Sequence, residues 1–339
     1  MKALIYKGPF HLAIEKRKAL TPVGDQVLIQ VKACGICGSD IHGYTGKTGR
    51  RIAPLVMGHE FSGIIEATGP DASKFQKGQR ITVQPIIYCG KCLNCLSGKT
   101  NNCPDKQCLG VMKLDGAMAE QICVSERFVK NIPDSVSFAQ GAAVEPLAVA
   151  WRAVNRFKVC GKTVLVVGSG TIGLMVQTLL LAQGAKLVIS TDMSDYRLER
   201  ARKIGVHQTL NPARVDISQE IARITDGEGV DLAIEAVGIT HTVNQALNSL
   251  KNAGECVLIG NSAKMIEINM QHIVTRELTI VGTYSYTNDD FEKALGLIAD
   301  DKINIDTIID SQILMEDAPE IFKKLADGAD QPIKSIIII

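Results

Sequence analysis

Two short stretches gather side chains that could hold a metal ion. "CGICGSDIH" carries Cys37, Ser39, Asp40 and His42, and "GHEFSG" carries His59 and Glu60. A thiolate, two imidazoles and two carboxylates so close in sequence suit catalytic zinc, which takes three protein ligands of mixed type and keeps a fourth place open. Cys37 and His59 are the first two candidates. Glu60 and Glu145 compete for the third place, and the two can alternate, or one can act directly and the other through water. Glu145 lies in the apolar stretch "QGAAVEPLAVAW", where a carboxylate must be neutral, paired or metal-bound because an unpaired buried charge is costly. The plainer reading of Glu145 is a helix-start carboxylate before Pro146. An ion held by such a set would bind a substrate hydroxyl and lower its pKa, preparing the carbon to lose hydride. Ser39 would take the hydroxyl proton and pass it by the nicotinamide ribose to His42, whose imidazole would exchange it with solvent. Asp40 would orient His59 through its other ring nitrogen. Turn and capping chemistry is the plain alternative for Ser39, Asp40 and His42.

A second cluster, "YCGKCLNCLSGKTNNC", spaces Cys89, Cys92, Cys95 and Cys103 so that one loop can wrap four thiolates around a tetrahedral zinc, with sulfur about 2.3 Å from the ion. Four sulfurs close the site to water and substrate, so this ion would pin a loop. Gly90, Asn94, Gly98 and Asn101 supply the turns. A zinc-knuckle reading, with nucleic acid as partner, is weaker, for there is no histidine among the ligands and little interleaving of aromatic or basic residues. Cys34-x2-Cys37 lacks the strand and helix context of a redox pair; Cys34 reads as a small buried filler. Lys47, Arg50 and Arg51 read as a solvated loop, or more sharply as an anchor for a phosphorylated substrate.

The elements that must position a cofactor are legible around "KTVLVVGSGTIGLMVQTLLLAQGAKLVISTD". A β-branched strand at 163–168 leads into Gly168-x-Gly170-x-x-Gly173, a helix follows at 172–183, and a second strand at 186–191 ends at Asp192, nineteen residues beyond Gly173. The glycines allow the tight turn, the approach of a pyrophosphate and close helix–strand packing. Thr171 and Ile172 open the helix that faces the phosphates. Asp192 would accept hydrogen bonds from the adenosine ribose and repel a 2′-phosphate, which favours NAD over NADP; Arg197 lies on the same cofactor edge. Later strand-like runs, "VDLAIEAVG", "GECVLIGN" and "ELTIVGTYSY", continue the alternation of a doubly wound sheet. Val237, Gly238, Ile259 and Gly260, at strand ends, should line the nicotinamide half.

The remaining composition excludes other roles. The 339 residues suffice for about two domains. Lysine plus arginine number 37 against 36 acidic residues, so no excess charge is available for nucleic acid or an anionic membrane. The start, "MKALIYKGPF", breaks its apolar run too early for a signal core, and the apolar stretch from Val164 to Ser190 is interrupted by glycine and glutamine. A cytoplasmic protein with a small-molecule partner is expected. Ten cysteines in such a chain read as reduced thiols, some of them metal-bound.

In the order and spacing of "CGICGSDIH", "GHEFSG", the four-cysteine lobe, "VEPLAVA" and "GSGTIG…D", the chain resembles the zinc-containing medium-chain dehydrogenase/reductase family over essentially its whole length. The resemblance implies an α/β chain: a GroES-like, mainly β catalytic domain over 1–150 with a zinc lobe at about 85–108, a doubly wound Rossmann domain over 151–284, and a return of 285–339 to the first domain, "PIKSIIII" closing its sheet. It further implies two Zn2+ per chain, one catalytic and one structural, NAD as cofactor, an alcohol substrate, and a homodimer or homotetramer. Within the family the chain looks most like the polyol branch, because liver-type alcohol dehydrogenases have cysteine where Glu145 stands and often arginine in place of Gly38. In that branch the matches to Cys37, His59 and Glu60 commonly bind zinc, with the match to Glu145 close by or coordinating. Sorbitol dehydrogenases commonly present Arg-Tyr where this chain has Ser285-Tyr286. The implied reaction is hydride transfer from a secondary alcohol of a polyol or polyol phosphate to NAD+. Two alternatives stand beside it: a sugar acid or threonine-like substrate, and a zinc-stabilised nucleotide-binding regulator without turnover.

Overall fold

The computed structural model describes residues 1–328 and 332–339. It divides into two compact units, one of residues 1–145, 287–301 and 309–339, the other of 146–286 with 302–308. The limit expected at 150 falls inside a helix, Val144–Val154, and the division lies at its first turn. The returning chain also gives residues 302–308 to the second unit.

The first unit is built on a seven-stranded sheet. Gln26–Gly35 runs through its middle because its sequence, "QVLIQVKACG", supplies branched apolar residues at strand spacing; Val27, Ile29, Val31, Ala33 and Cys34 are buried. Along one path the order is Val129–Asn131, Arg80–Val83, Glu60–Thr68, Gln26–Gly35, Ser335–Ile338 and Ser311–Leu314, and Gln121–Ser125 pairs with Gln26–Gly35. The C-terminal strand Ser335–Ile338 is antiparallel to Gln26–Gly35, as "PIKSIIII" led one to expect. Its register places Ile336 opposite Gly35, while Gly35 faces Glu60 on the other side. The core includes Ile29, Phe61, Ile65, Ile81, Val83 and Ile337.

The second unit is a six-stranded, wholly parallel sheet in the order Gln208–Leu210, Leu187–Thr191, Thr163–Val167, Val230–Glu235, Leu250–Leu258 and Thr279–Gly282. Its inner strands are near-continuous apolar runs, as strands covered on both faces must be; Val164, Leu165, Val166, Leu232, Ala233 and Ile234 are buried. Thr163–Val167 has Leu187–Thr191 on one side and Val230–Glu235 on the other. The strand order therefore reverses there, opening a crevice at the carboxyl ends where doubly wound sheets bind ligands. Among the described residues no helix is long and apolar enough to cross a membrane.

Candidate active site and metal centre

Three neighbouring strands end at one place in the first unit. Gln26–Gly35 ends just before Cys37, Glu60–Thr68 begins just after His59, and Ser335–Ile338 begins just after Lys334. This register brings the donor atoms of Cys37, His59 and Glu60 within 4.8 Å of one another. Three donors of different type converging so closely, two of them on buried residues, have the composition of an open zinc site. Glu145 stays outside this trio. It sits half-buried in the first turn of Val144–Val154, close enough to Lys334 and Cys108 to affect both electrostatically. Of the two competing glutamates, Glu60 is the one gathered with Cys37 and His59.

The groups around the trio are buried and charged. Asp40, fully buried in the helix Gly38–Tyr44, accepts from the Cys37 amide at 3.1 Å and from Arg51 Nη2 at 2.8 Å. His59 Nδ1 lies 3.6 Å from Asp40 Oδ1 and has no hydrogen-bond partner. Asp40 thus stands beside the expected ring nitrogen, beyond hydrogen-bond range. The carboxyl of Asp40 stays below the usual range although burial alone would raise it, because His59 and Arg51 outweigh that penalty. Burial pushes the Cys37 thiol up to about 11, with Glu60 and Asp40 adding to the rise and Lys334 and Ser39 opposing it. A thiol so disfavoured as a free thiolate is one that a bound cation would ionise.

Two partners were not foreseen. Lys334, 1% exposed, donates to Glu60 Oε2 and, at 3.0 Å, to the Ile36 carbonyl. Its one signal was a lone lysine in an otherwise apolar run, which requires a buried partner. Arg51 was read as a solvated loop residue or a phosphate anchor, and the structure contradicts both readings. Its side chain is 3% exposed and committed to Asp40, with Nη2 3.4 Å from Ser39 Oγ. A buried carboxylate attracts the nearest cation more strongly than a solvated loop does. Lys47 and Arg50 remain exposed. Ser39 and His42 are exposed on the helix Gly38–Tyr44.

The cysteine lobe is closed at its base by the pairing of Ile86–Ile87 with Gln107–Cys108. The sulfurs of Cys89, Cys92, Cys95 and Cys103 all lie within 4.8 Å of one another. Cys89 is 3.9 Å from Cys95 and 3.6 Å from Cys103, close to the ~3.8 Å between sulfurs arranged tetrahedrally about zinc at ~2.3 Å. The amides of Lys91 and Cys92 hold the Cys89 thiol down at about 6, ready to ligate. Arg127 braces the lobe, its guanidinium 4.5 Å from the Tyr88 ring centroid.

In the second unit the glycine turn follows Thr163–Val167 and leads into the helix Thr171–Ala182, which opens with Thr171 and Ile172. Any side chain on Gly173 would stand 1.9 Å from the Gly168 carbonyl, so the close helix–strand approach demands glycine there. Gly170 is the N-cap of that helix. Asp192 Oδ2 accepts from the Ser169 amide and Oδ1 from the Ser194 amide, both at 2.8 Å, and Arg197 Nη1 is 3.7 Å from Oδ2. Val237 and Gly238 follow Val230–Glu235, and Ile259 and Gly260 follow Leu250–Leu258, all at the same edge of the sheet. A cavity of about 390 Å³ lies at the opposite edge, lined by Ser218, Glu228, Asn248, Lys251 and Arg276. Its cations are already bonded, Lys251 to Asp231 and Arg276 to the carbonyls of Leu247 and Leu250.

A parallel dinucleotide-type sheet and a mainly β unit carrying two thiol-containing donor clusters together define a zinc-linked alcohol oxidoreductase. The zinc-binding dehydrogenase family matches residues 171–300, and the alcohol dehydrogenase GroES-like domain matches residues 24–134. The chain is 33% identical to a sorbitol dehydrogenase of Bacillus subtilis over 99% of its own length and 97% of that protein's. It is 32% identical to a D-arabitol-phosphate dehydrogenase of Enterococcus avium, over 90% of this chain and 88% of the other. A crystal structure from Sinorhizobium meliloti, described as a zinc-binding dehydrogenase bound to NADP, superposes with a TM-score of 0.93 at 30% identity, covering 100% of this chain and 99% of that one. The chain belongs to the zinc-containing medium-chain dehydrogenase/reductase family, on its polyol side. It is an enzyme acting on CH–OH groups, and the reading as a regulator without turnover is set aside.

Proposed function

We propose that the chain oxidises a secondary alcohol of a free polyol with NAD+, using an open zinc site held by Cys37, His59 and Glu60. The convergence of those three donors within 4.8 Å carries the reading. When bound, zinc supplies Lewis-acid polarisation of the alcohol oxygen, and NAD supplies the hydride acceptor. Everything else falls to the chain. Ser39 Oγ, exposed two residues from Cys37, accepts the hydroxyl proton while passing its own on toward His42. His42 lies three residues on, on the same helical face, and returns the proton to solvent. Asp40 holds the Cys37 backbone and places negative charge beside His59. Lys334 neutralises Glu60 when that carboxylate is not engaged by the metal. Glu145 is a nearby carboxylate outside the direct set. Cys89, Cys92, Cys95 and Cys103 hold the structural zinc.

The Asp192 carboxylate, fixed by two amides, meets a 2′-phosphate with like charge, which supports NAD over NADP. With Arg51 committed to Asp40, one of the three cations between the two ligand motifs is withdrawn from any phosphate, which supports an unphosphorylated substrate, while Lys47 and Arg50 stay exposed. A homo-oligomer is proposed as well: Thr279–Gly282 is an edge strand with half-exposed residues, and Met265, Met270 and Val274 nearby in sequence are exposed. Ten unpaired cysteines suit the reducing cytoplasm. The deciding experiment is NADH formation across polyols, polyol phosphates, sugar acids and threonine. Turnover of free polyols is the expected result, and turnover of polyol phosphates, threonine or a sugar acid alone would replace this reading.

A further inference from the structure

One fully buried carboxylate has no part in the reaction described so far. Glu235 is 0% exposed at the end of Val230–Glu235. Its Oε1 accepts from the amides of Val237 at 2.9 Å and Gly238 at 2.7 Å. Its own main-chain carbonyl accepts from the amides of Ile259 at 2.8 Å and Gly260 at 3.1 Å. One residue therefore holds both of the turns that follow neighbouring strands at the cofactor edge of the sheet. Two further bonds join those turns, Ser262 Oγ to the Val237 carbonyl at 2.6 Å and the Ala263 amide to the Gly238 carbonyl at 2.8 Å. The contact leaves no room: a Cβ on Gly260 would stand 2.1 Å from the Gly238 nitrogen and 2.5 Å from Glu235 Oε2. The second carboxylate oxygen, Oε2, is buried and has no hydrogen-bond partner.

Burying a carboxylate with one oxygen unsatisfied is costly, and an apolar side chain would fill the strand end at less cost. The compensation lies in what Oε1 fixes. Charge-assisted bonds to two successive amides set the direction of both peptide planes, and a turn already ordered loses less freedom when a ligand arrives. We propose that Glu235 is a positioning residue for the dinucleotide, holding the 236–238 and 259–261 turns in their binding shape. The proposal rests on the dinucleotide reading above.

NADH titration of the zinc-loaded full chain, followed by cofactor fluorescence, tests it together with steady-state kinetics. Glu235→Ala should raise the Kd for NADH about tenfold or more, and should raise KM for NAD+ more than it lowers kcat. Glu235→Gln keeps an acceptor oxygen in place and should stay within about threefold of wild type. If Glu235→Ala does not fold, Glu235→Asp decides, since its carboxylate is one methylene too short to reach both amides. Weakened NADH binding by that variant supports the proposal. Wild-type NADH affinity in Glu235→Ala or Glu235→Asp, with only thermal stability lowered, overturns it. A wild-type chain that binds no NADH would instead refute the dinucleotide reading, and the proposal with it.

Discussion

At the scale of single residues, the chemistry of the first unit rests on charges kept out of water. Arg51 and Asp40 form a buried pair at 2.8 Å, with side chains 3% and 0% exposed. Removing one partner leaves the other charge uncompensated, which typically costs about 3–5 kcal/mol, whereas removing both is far milder. Arg51→Met should therefore destabilise the protein by about that amount, and adding Asp40→Asn should restore roughly half of it, as read from denaturant unfolding. A single variant as stable as wild type would mean that the pair is solvated in solution. The gathering of Cys37 with His59, and of the four lobe cysteines, was legible in the sequence from their motifs and spacing, while the choice of Glu60 over Glu145 was not. The partner of Lys334 was not legible, because Glu60 is 274 residues away and no local pattern announces which contact sheet register will make. Arg51 was misread although Asp40 is only 11 residues distant, since a loop cation looks the same whether it faces solvent or a buried carboxylate.

At the scale of elements, the glycine turn, its flanking strand and helix, and the C-terminal strand were all readable from hydrophobic period and turn chemistry. The join at Val144–Val154 was not, because an amphipathic helix carries no mark of which unit each of its turns belongs to. The cysteine lobe and the Cys37 site should separate cleanly by metal analysis. Cys103→Ser should lose one zinc per chain and lower the melting temperature, while Cys37→Ser should lose the other zinc and the activity. Loss of both ions in either variant would contradict two independent sites. The parallel sheet has its own acid sensitivity. Asp231 and Lys251 pair at 2.5 Å on adjacent strands, and Asp231 stays below the usual carboxylate range although burial opposes this, because Lys251 and the Thr163 amide outweigh it. A carboxyl lowered in the folded state stabilises above its unfolded value of about 3.9, and that contribution is lost as pH falls through the lower folded value. Asp231→Asn should therefore shallow the fall in stability below about pH 4, measured by thermal unfolding at stepped pH. An unchanged acid limb would show that the pair is not formed in solution.

At the scale of the whole molecule, one unit gathers the Cys37, His59 and Glu60 donors and the other carries the parallel sheet with its glycine turn. Assembly is tested separately. Light scattering should give at least twice the single-chain mass of 36.6 kDa, and a single-chain mass at micromolar concentration would remove the edge-strand proposal. A zinc incompletely surrounded by Cys37, His59 and Glu60 is proposed to activate a polyol hydroxyl for oxidation by NAD+. The most direct test is the initial rate of NADH formation by wild type and by Cys37→Ser, both with the structural zinc retained, over one panel of free polyols. Wild type should turn over at least one polyol, and the variant should lose about a thousandfold or more of that rate. Undiminished oxidation by Cys37→Ser would contradict that role of the zinc.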